Sequence, residues 1–272
     1  MAFTSFIPQI WNAEMLVSFR QNALAANFTN RNYEGDATKG NTVKINSAAS
    51  VTITDYKAAG RITTPENINS TSVDLLIDQE KSFDFKVHDI DRAQAAGSLG
   101  VYTTDAGLGL AEDADKFLLA MISGSVTHQT ASTITTGDEA WNILRDLRKV
   151  MSKNKVPVAQ RVVAINAEFE GLLLEASSKI TNVDKSGVAE GLREAVLGRL
   201  LGFTVVTSEN LPVVAKPQAV AWYVPSVGYV SQIDETEAMR DVDSFADRVR
   251  GLHVYGGKVL RGGAGVAAWT AS

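Results

Sequence analysis

The sequence predicts an α+β protein, and three observations predict it. Apolar residues alternate between Thr42 and Val87, helical apolar stripes follow Thr104 and Thr136, and in the second half short strands and short helices take turns. With 272 residues the chain can bury a real core, and 45% apolar with 21% charged residues is the composition of a folded globular protein. Its charge of −5 and lack of cysteine bound what it can do. Tight wrapping of nucleic acid needs clustered Lys and Arg, so any DNA contact is expected to be weak or indirect. Without thiols there are no disulfides, thiolate zinc sites or cysteine nucleophiles. No apolar run approaches the ~20 residues of a membrane-spanning helix, and Met1–Gln9 lacks the order of a signal peptide, so no membrane partner is expected.

Residues 1–40 read as an arm, with Phe3, Phe6, Trp11 and Phe19 near its start, a helix opening at Pro8, and a turn-rich stretch from Asn27 to Gly40. Period two then takes over. Val43 and Ile45, Val51 and Ile53, Val73, Leu75 and Ile77, and Phe83, Phe85 and Val87 predict strands around a polar tip, Lys57–Ser72. This is a two-legged β-arm, and an isolated two-stranded ribbon is marginal in water, so it needs a neighbouring surface. Leu110, Ala111, Ala114, Phe117, Leu118, Met121 and Ile122 form the stripe of a long helix stopped at Gly124, with Glu112, Asp113, Asp115 and Lys116 on the other face. Thr136-Gly-Asp-Glu139 is a capping box opening a second helix through Ala140, Ile143, Leu144, Leu147, Val150 and Met151. Strands are expected at Arg161–Ile165, Phe203–Thr207 and Ala219–Val224, and helices at Ala167–Ser178 and Val188–Leu201. From Phe245 to Trp269 the chain returns to β character, broken by glycines that mark bends or close approaches.

Motifs of chemistry are poorly met. Gly263–Ala268 satisfies a dinucleotide pattern, but the helix and second strand that give it meaning have no room before Ser272. Gly251–Lys258 lacks the spacing of a phosphate loop, and Ala96-Gly-Ser98-Leu-Gly100 lacks the first glycine of a nucleophile elbow. His88, His128 and His253 are far apart in sequence, without metal-ligand spacing. The acidic runs Glu112–Asp115 and Asp234–Asp247 read as solvated helix faces. The basic runs Arg145–Lys155 and Arg248–Arg261 read as intersubunit salt bridges or solvated faces. No catalytic, metal or cofactor-binding residue is assigned, and no cofactor is expected.

The run Gly198-Arg-Leu-Leu-Gly-Phe-Thr-Val-Val-Thr-Ser-Glu-Asn-Leu-Pro212 and the run Val249-Arg-Gly-Leu-His-Val-Tyr-Gly-Gly-Lys-Val259 resemble two motifs of the Hong Kong 97-type capsid proteins of tailed bacteriophages. The first is similar to that family's helix, glycine turn, strand and Ser-x-Asn-Leu-Pro sequence, the second to its late strand pair. The order of elements resembles the family along the whole chain. The resemblance implies an N-terminal arm (1–40), an extended loop (41–88), a peripheral domain with the spine helix (89–137), an axial domain (138–235) and returning peripheral strands (236–272). It further implies a major capsid protein that assembles with itself as pentamers and hexamers of an icosahedral shell around double-stranded DNA. Portal, scaffolding and decoration proteins are further expected partners, with the virion capsid as location and the host bacterial cytoplasm as site of assembly. An arm that begins at Met1 is expected to use a separate scaffolding protein or none. Two other readings remain at this point: an encapsulin-like compartment shell, which shares the fold, and a soluble α/β hydrolase using a serine and a histidine.

Overall fold

The computed structural model describes residues 24–34, 40–47, 51–63, 65–67, 71–89, 100–126, 133–175, 198–213, 215–261 and 263–272, and of 71, 100–104 and 232–235 the backbone only. The early aromatics, the helix opening at Pro8, the turn around Ser98, His128 and most of Val188–Leu201 lie outside the described residues.

A five-stranded sheet forms the middle of one half. Its order is β10 (Val266–Thr270), β7 (Gln218–Tyr223), β4 (Arg161–Ile165), β6 (Phe203–Thr207) and β5 (Arg199–Leu200), with β4 and β6 parallel and the other pairs antiparallel. Every residue of β4 is buried, because helices cover both faces. Alternation sorts the side chains. Val162 and Ala164 join Val220, Trp222, Val266 and Ala268 on one face, where the helix α2 (Gly100–Gly124) lays Ala114, Leu118, Leu119 and Ile122. Val163, Ile165, Ala219, Ala221, Ala267 and Trp269 occupy the other face, under α3 (Gly137–Lys153) and α4 (Ala167–Leu173).

The helix α3 starts where its capping box says: Thr136 accepts from the Glu139 N–H and Glu139 accepts from the Thr136 N–H. Asn166 caps α4 and also joins it to the sheet, its Oδ1 accepting from Phe169 and Gln218 N–H groups at 3.2 and 3.0 Å. In the described residues α4 ends at Leu173, short of the expected Ser178.

A second sheet has three long strands in the order β3 (Gln79–His88), β9 (Ala246–Val259) and β8 (Val227–Arg240), all antiparallel. At ~3.4 Å per residue the 14-residue strands β8 and β9 span about 45 Å, far beyond the body they start from. Against this sheet stands a separate ribbon, β1 (Thr42–Ser47) paired with β2 (Thr71–Leu76) from Thr42↔Leu76 to Ser47↔Thr71. Val43, Ile45, Leu75 and Ile77 from the ribbon bury against Val230 of β8. The crossing is close: a Cβ on Gly256 would stand 2.0 Å from the Leu76 carbonyl oxygen, so only glycine lets β2 pass over β9 here.

Four sequence expectations are corrected. Val51 and Ile53 form no strand; they are exposed, because nothing of the chain's described residues lies against that part of the ribbon. Arg199–Leu200 is a strand and not a helix end, since Gly198, Leu201 and Gly202 all take positive φ (45°, 49° and 82°) in a tight reversal into β6. Asp234–Asp247 is no helix face: it is the end of β8, its hairpin turn and the start of β9. Asp115, placed by its spacing on the polar face of α2, is 1% exposed.

Candidate functional site

Three surfaces carry the chemistry. The first is the free end of the β1–β2 ribbon. Beyond the Ser47↔Thr71 pair the chain turns back through Asp55–Arg61, where Asp55 Oδ1 accepts from the Lys57 and Ala58 N–H groups and Gly60 and Arg61 hold positive φ. Around the expected polar tip, Lys57–Ser72, the apolar Val51, Ile53, Tyr56 and Ile62 are 60%, 96%, 55% and 72% exposed. Several exposed apolar side chains at one end of a ribbon favour a binding surface over a solvated loop.

The second is a clasp on residues 24–34. The short helix α1 (Leu24–Asn27) buries Ala25 and Ala26 against α2. The Asp115 carboxylate accepts from the Ala25 N–H at 3.0 Å, the Trp222 Nε1–H donates to the Phe28 carbonyl at 2.7 Å, and Asn30 bridges β8 through Asn30 N–H to Val227 O and Tyr229 N–H to Asn30 O at 2.8 and 3.1 Å. Burial pushes the Asp115 carboxyl up to about 6, against the N–H groups of Ala25 and Leu24 and the Asn210 side chain, which favour the charged form. Because the folded value lies above the unfolded one, this group's stabilising contribution is full below about pH 4 and is lost as the pH rises through about 6. His253 runs the other way. Burial lowers it to about 4, so its contribution is present above about pH 6.5 and is lost as the pH falls through about 4. The two slopes oppose each other in the wild-type protein. Asp115→Asn is expected to unmask the His253 slope, lowering the unfolding temperature at pH 4.5 relative to pH 7, with a change on the order of 2–3 kcal/mol for each group. Thermal unfolding of both proteins across pH 4–7 reads this directly.

The third is the long sheet, whose outer face is a ladder of cross-strand ion pairs. Arg248 on β9 holds Asp84 on β3, Arg250 holds Glu237 on β8 and Lys86 holds Asp241, while on the opposite face, at the hairpin end, Arg240 bridges Asp89 and Asp247. Exposed pairs of this kind add little stability, so they fix register more than they stabilise. They also use up the Arg248 and Arg250 charges. At the hairpin end Val242 and Phe245 are 95% and 83% exposed.

Among the described residues His253 meets a serine: its Nε2 lies 2.9 Å from Ser231 Oγ, and its ring stacks on Tyr255 at 4.8 Å. His253 is 1% exposed and burial lowers its pKa to about 4, so its imidazole is shielded from solvent and is a weak base for activating the partly buried Ser231. Among the described residues no group of three His, Asp or Glu gathers as a metal site. Gly263 and Gly265 lead into β10, not into a helix, which disposes of the dinucleotide pattern.

A projecting ribbon, a long helix, a sandwich of sheet and helices and a long three-stranded sheet together make an α+β capsid fold of the Hong Kong 97 type. The model of the family described as phage capsid protein matches residues 71–268, and the chain belongs to that family. A solved chain of Mycobacterium phage Che8 is 48% identical over 91% of this chain and 90% of its own, with a TM-score of 0.84. The capsid of cyanophage P-SCSP1u (18% identical, 86% and 84% covered, TM-score 0.72) and the mature capsid of bacteriophage PhiM1 (15%, 86% and 83%, TM-score 0.70) share the fold. No curated protein matches.

Proposed function

We propose that this phage capsid protein is the repeating unit of a tailed-phage shell, assembling with itself as pentamers and hexamers around double-stranded DNA. One observation carries the self-assembly: the apolar tip of the ribbon has no cover within its own chain's described residues, and a second copy can supply it. In this reading residues 1–40 are the arm, 41–88 the extended loop, 89–137 and 236–272 the peripheral domain, and 138–235 the axial domain. The role is structural and not catalytic, in keeping with the buried, weakly basic imidazole of His253. A phage relative 48% identical over nine-tenths of both chains favours the virion over an encapsulin-like compartment. Assembly takes place in the host bacterial cytoplasm, with portal, scaffolding and decoration proteins as further partners.

Sedimentation of the purified protein is expected to give a fast, shell-sized boundary; single subunits at every concentration would count against the proposal. Contact with the packaged DNA is weak in this reading, since Arg248 and Arg250 are already paired. Anisotropy of a short labelled duplex with unassembled subunits is accordingly expected to show weak binding and a shallow salt slope.

A further inference from the structure

The charges on the α3–α4 layer are sorted by sign. Arg145, Arg148, Lys149, Lys153 and Lys155 are all exposed at the C-terminal end of α3 and in the turn after it, with Asp146 the carboxylate among them, paired to Arg145. Arg145 and Lys149, and Lys149 and Lys153, stand four residues apart, where like charges repel and weaken the helix. Beneath them is a further positive charge. Arg161 is 2% exposed and bonds only neutral groups, through Nε to Pro157 O at 2.8 Å, Nη1 to Ser152 Oγ at 3.2 Å and Nη2 to Val156 O at 2.6 Å. Burial, and after it the nearby charge of Arg148, holds its pKa down. Among the described residues Arg148, Lys149, Lys153 and Lys155 have no ion-pair partner. Arg145, Asp146, Arg148, Lys149, Ser152 and Leu201 line a shallow groove of about 450 Å³, three cations to one carboxylate.

The other end of the layer is acidic. Asp138 and Glu139 open α3, Glu175 Oε2 accepts from the Gly137 N–H at 2.7 Å, and Glu168 and Glu170 lie on α4 beside it. Neither Glu168 nor Glu170 has an ion-pair partner among the described residues, though Lys216 lies close by in the loop bonded to Asn166. At 1.5 Å per residue the poles, marked by Glu139 and Lys153, are about 20 Å apart along α3.

We propose that the basic groove at the C-terminal end of α3 docks the acidic α3–α4 end of a second copy of this chain, head to tail, so that the contact repeats around a ring. A heterologous contact of this kind needs two different, complementary patches on each subunit, and the layer carries both. It removes the repulsion within α3 by bringing Glu168 and Glu170 of a neighbour to Arg148 and Lys149. A nucleic acid laid along the same layer would meet the carboxylates as well as the cations. The inference rests on the shell-subunit reading above and assigns it one of its contacts.

The test reverses one pole at a time in the full chain. Arg148→Glu/Lys149→Glu and Glu168→Lys/Glu170→Lys are each expected to keep the wild-type unfolding temperature and to lower the assembled fraction about tenfold at physiological salt. The chain carrying all four changes is expected to assemble again, because both poles have changed sign together. Raising the salt is expected to weaken wild-type assembly and to narrow its lead over the single-pole variants. Wild-type shells together with normal shells from either single-pole variant, or failure of the fourfold variant to recover, would overturn the polar contact and leave the shell function standing. Tight duplex binding by unassembled wild type, abolished by Arg148→Glu/Lys149→Glu with assembly unchanged, would overturn it in favour of a nucleic-acid surface. Wild-type protein that never assembles would overturn both.

Discussion

Replacing residues 48–70 by a two-residue Asn-Gly turn is expected to give a subunit that folds and unfolds like the wild type but forms no complete shells. The Ser47↔Thr71 pair closes the β1–β2 ribbon, and a type I′ turn of two residues fits such a closure. Nothing in the core is lost, because Val43, Ile45, Leu75 and Ile77 lie below the cut and still pack on Val230. What goes is the exposed apolar group Val51, Ile53, Tyr56 and Ile62, which nothing among the described residues covers. Equal unfolding temperatures with a loss of sedimenting particles is the expected pair of readings. Complete particles of wild-type stability from the shortened chain would show that the ribbon tip has no part in assembly.

The second large effect is expected at Trp222. This side chain is 1% exposed in the centre of the sheet face under α2, and it also reaches the clasp segment 24–34 by its bond to the Phe28 carbonyl. Trp222→Ala removes the ring and opens a cavity, a loss of about 3–5 kcal/mol, with the Phe28 carbonyl left without its donor besides. Trp222→Phe keeps much of the volume and isolates the clasp, costing about 1–3 kcal/mol. Hydrogen exchange at the Tyr229 N–H, which is held by Asn30, is expected to speed up in Trp222→Phe more than exchange in β4 does. If both sites respond equally, Trp222 stabilises the body alone and the clasp is not a separate element.

The sequence was most legible where one residue type does one job. The capping box at Thr136, the short apolar strand Arg161–Ile165 and the stop at Gly124 depend on local physics, and all three stand in the structure. It was least legible where tertiary contact decides. Asp115 follows the spacing of a surface residue and is buried because α1 brings its N–H groups to it, a contact from 90 residues away. Phe117, the centre of the stripe by periodicity, is only partly buried, edge-on to Tyr255 at 5.4 Å, while Leu118 and Ala114 fill the core. The strand β8 went unread because its register shifts between Ile233 and Glu235 and its far half is held by ion pairs, not by an apolar face. The Ser231–His253 pair joins positions 22 residues apart across two strands, and no spacing rule foresees it.

The candidate surfaces follow the same division. Exposed apolar residues on the ribbon were visible as letters, but their exposure depends on β2 crossing at Gly256 and leaving the tip beyond the body. The basic run Arg145–Lys155 was visible too, whereas its separation from Arg248 and Arg250, and the sorting of charge along α3, required the fold.

The central claim is that copies of this chain close into shells by themselves or with a scaffold, and electron microscopy of negatively stained, freshly expressed protein tests it most directly. The account predicts closed, roughly isometric particles of uniform diameter, accompanied by rings of five or six subunits. A field of single subunits and dimers, unchanged on concentration and on co-expression of a scaffolding protein, would contradict it.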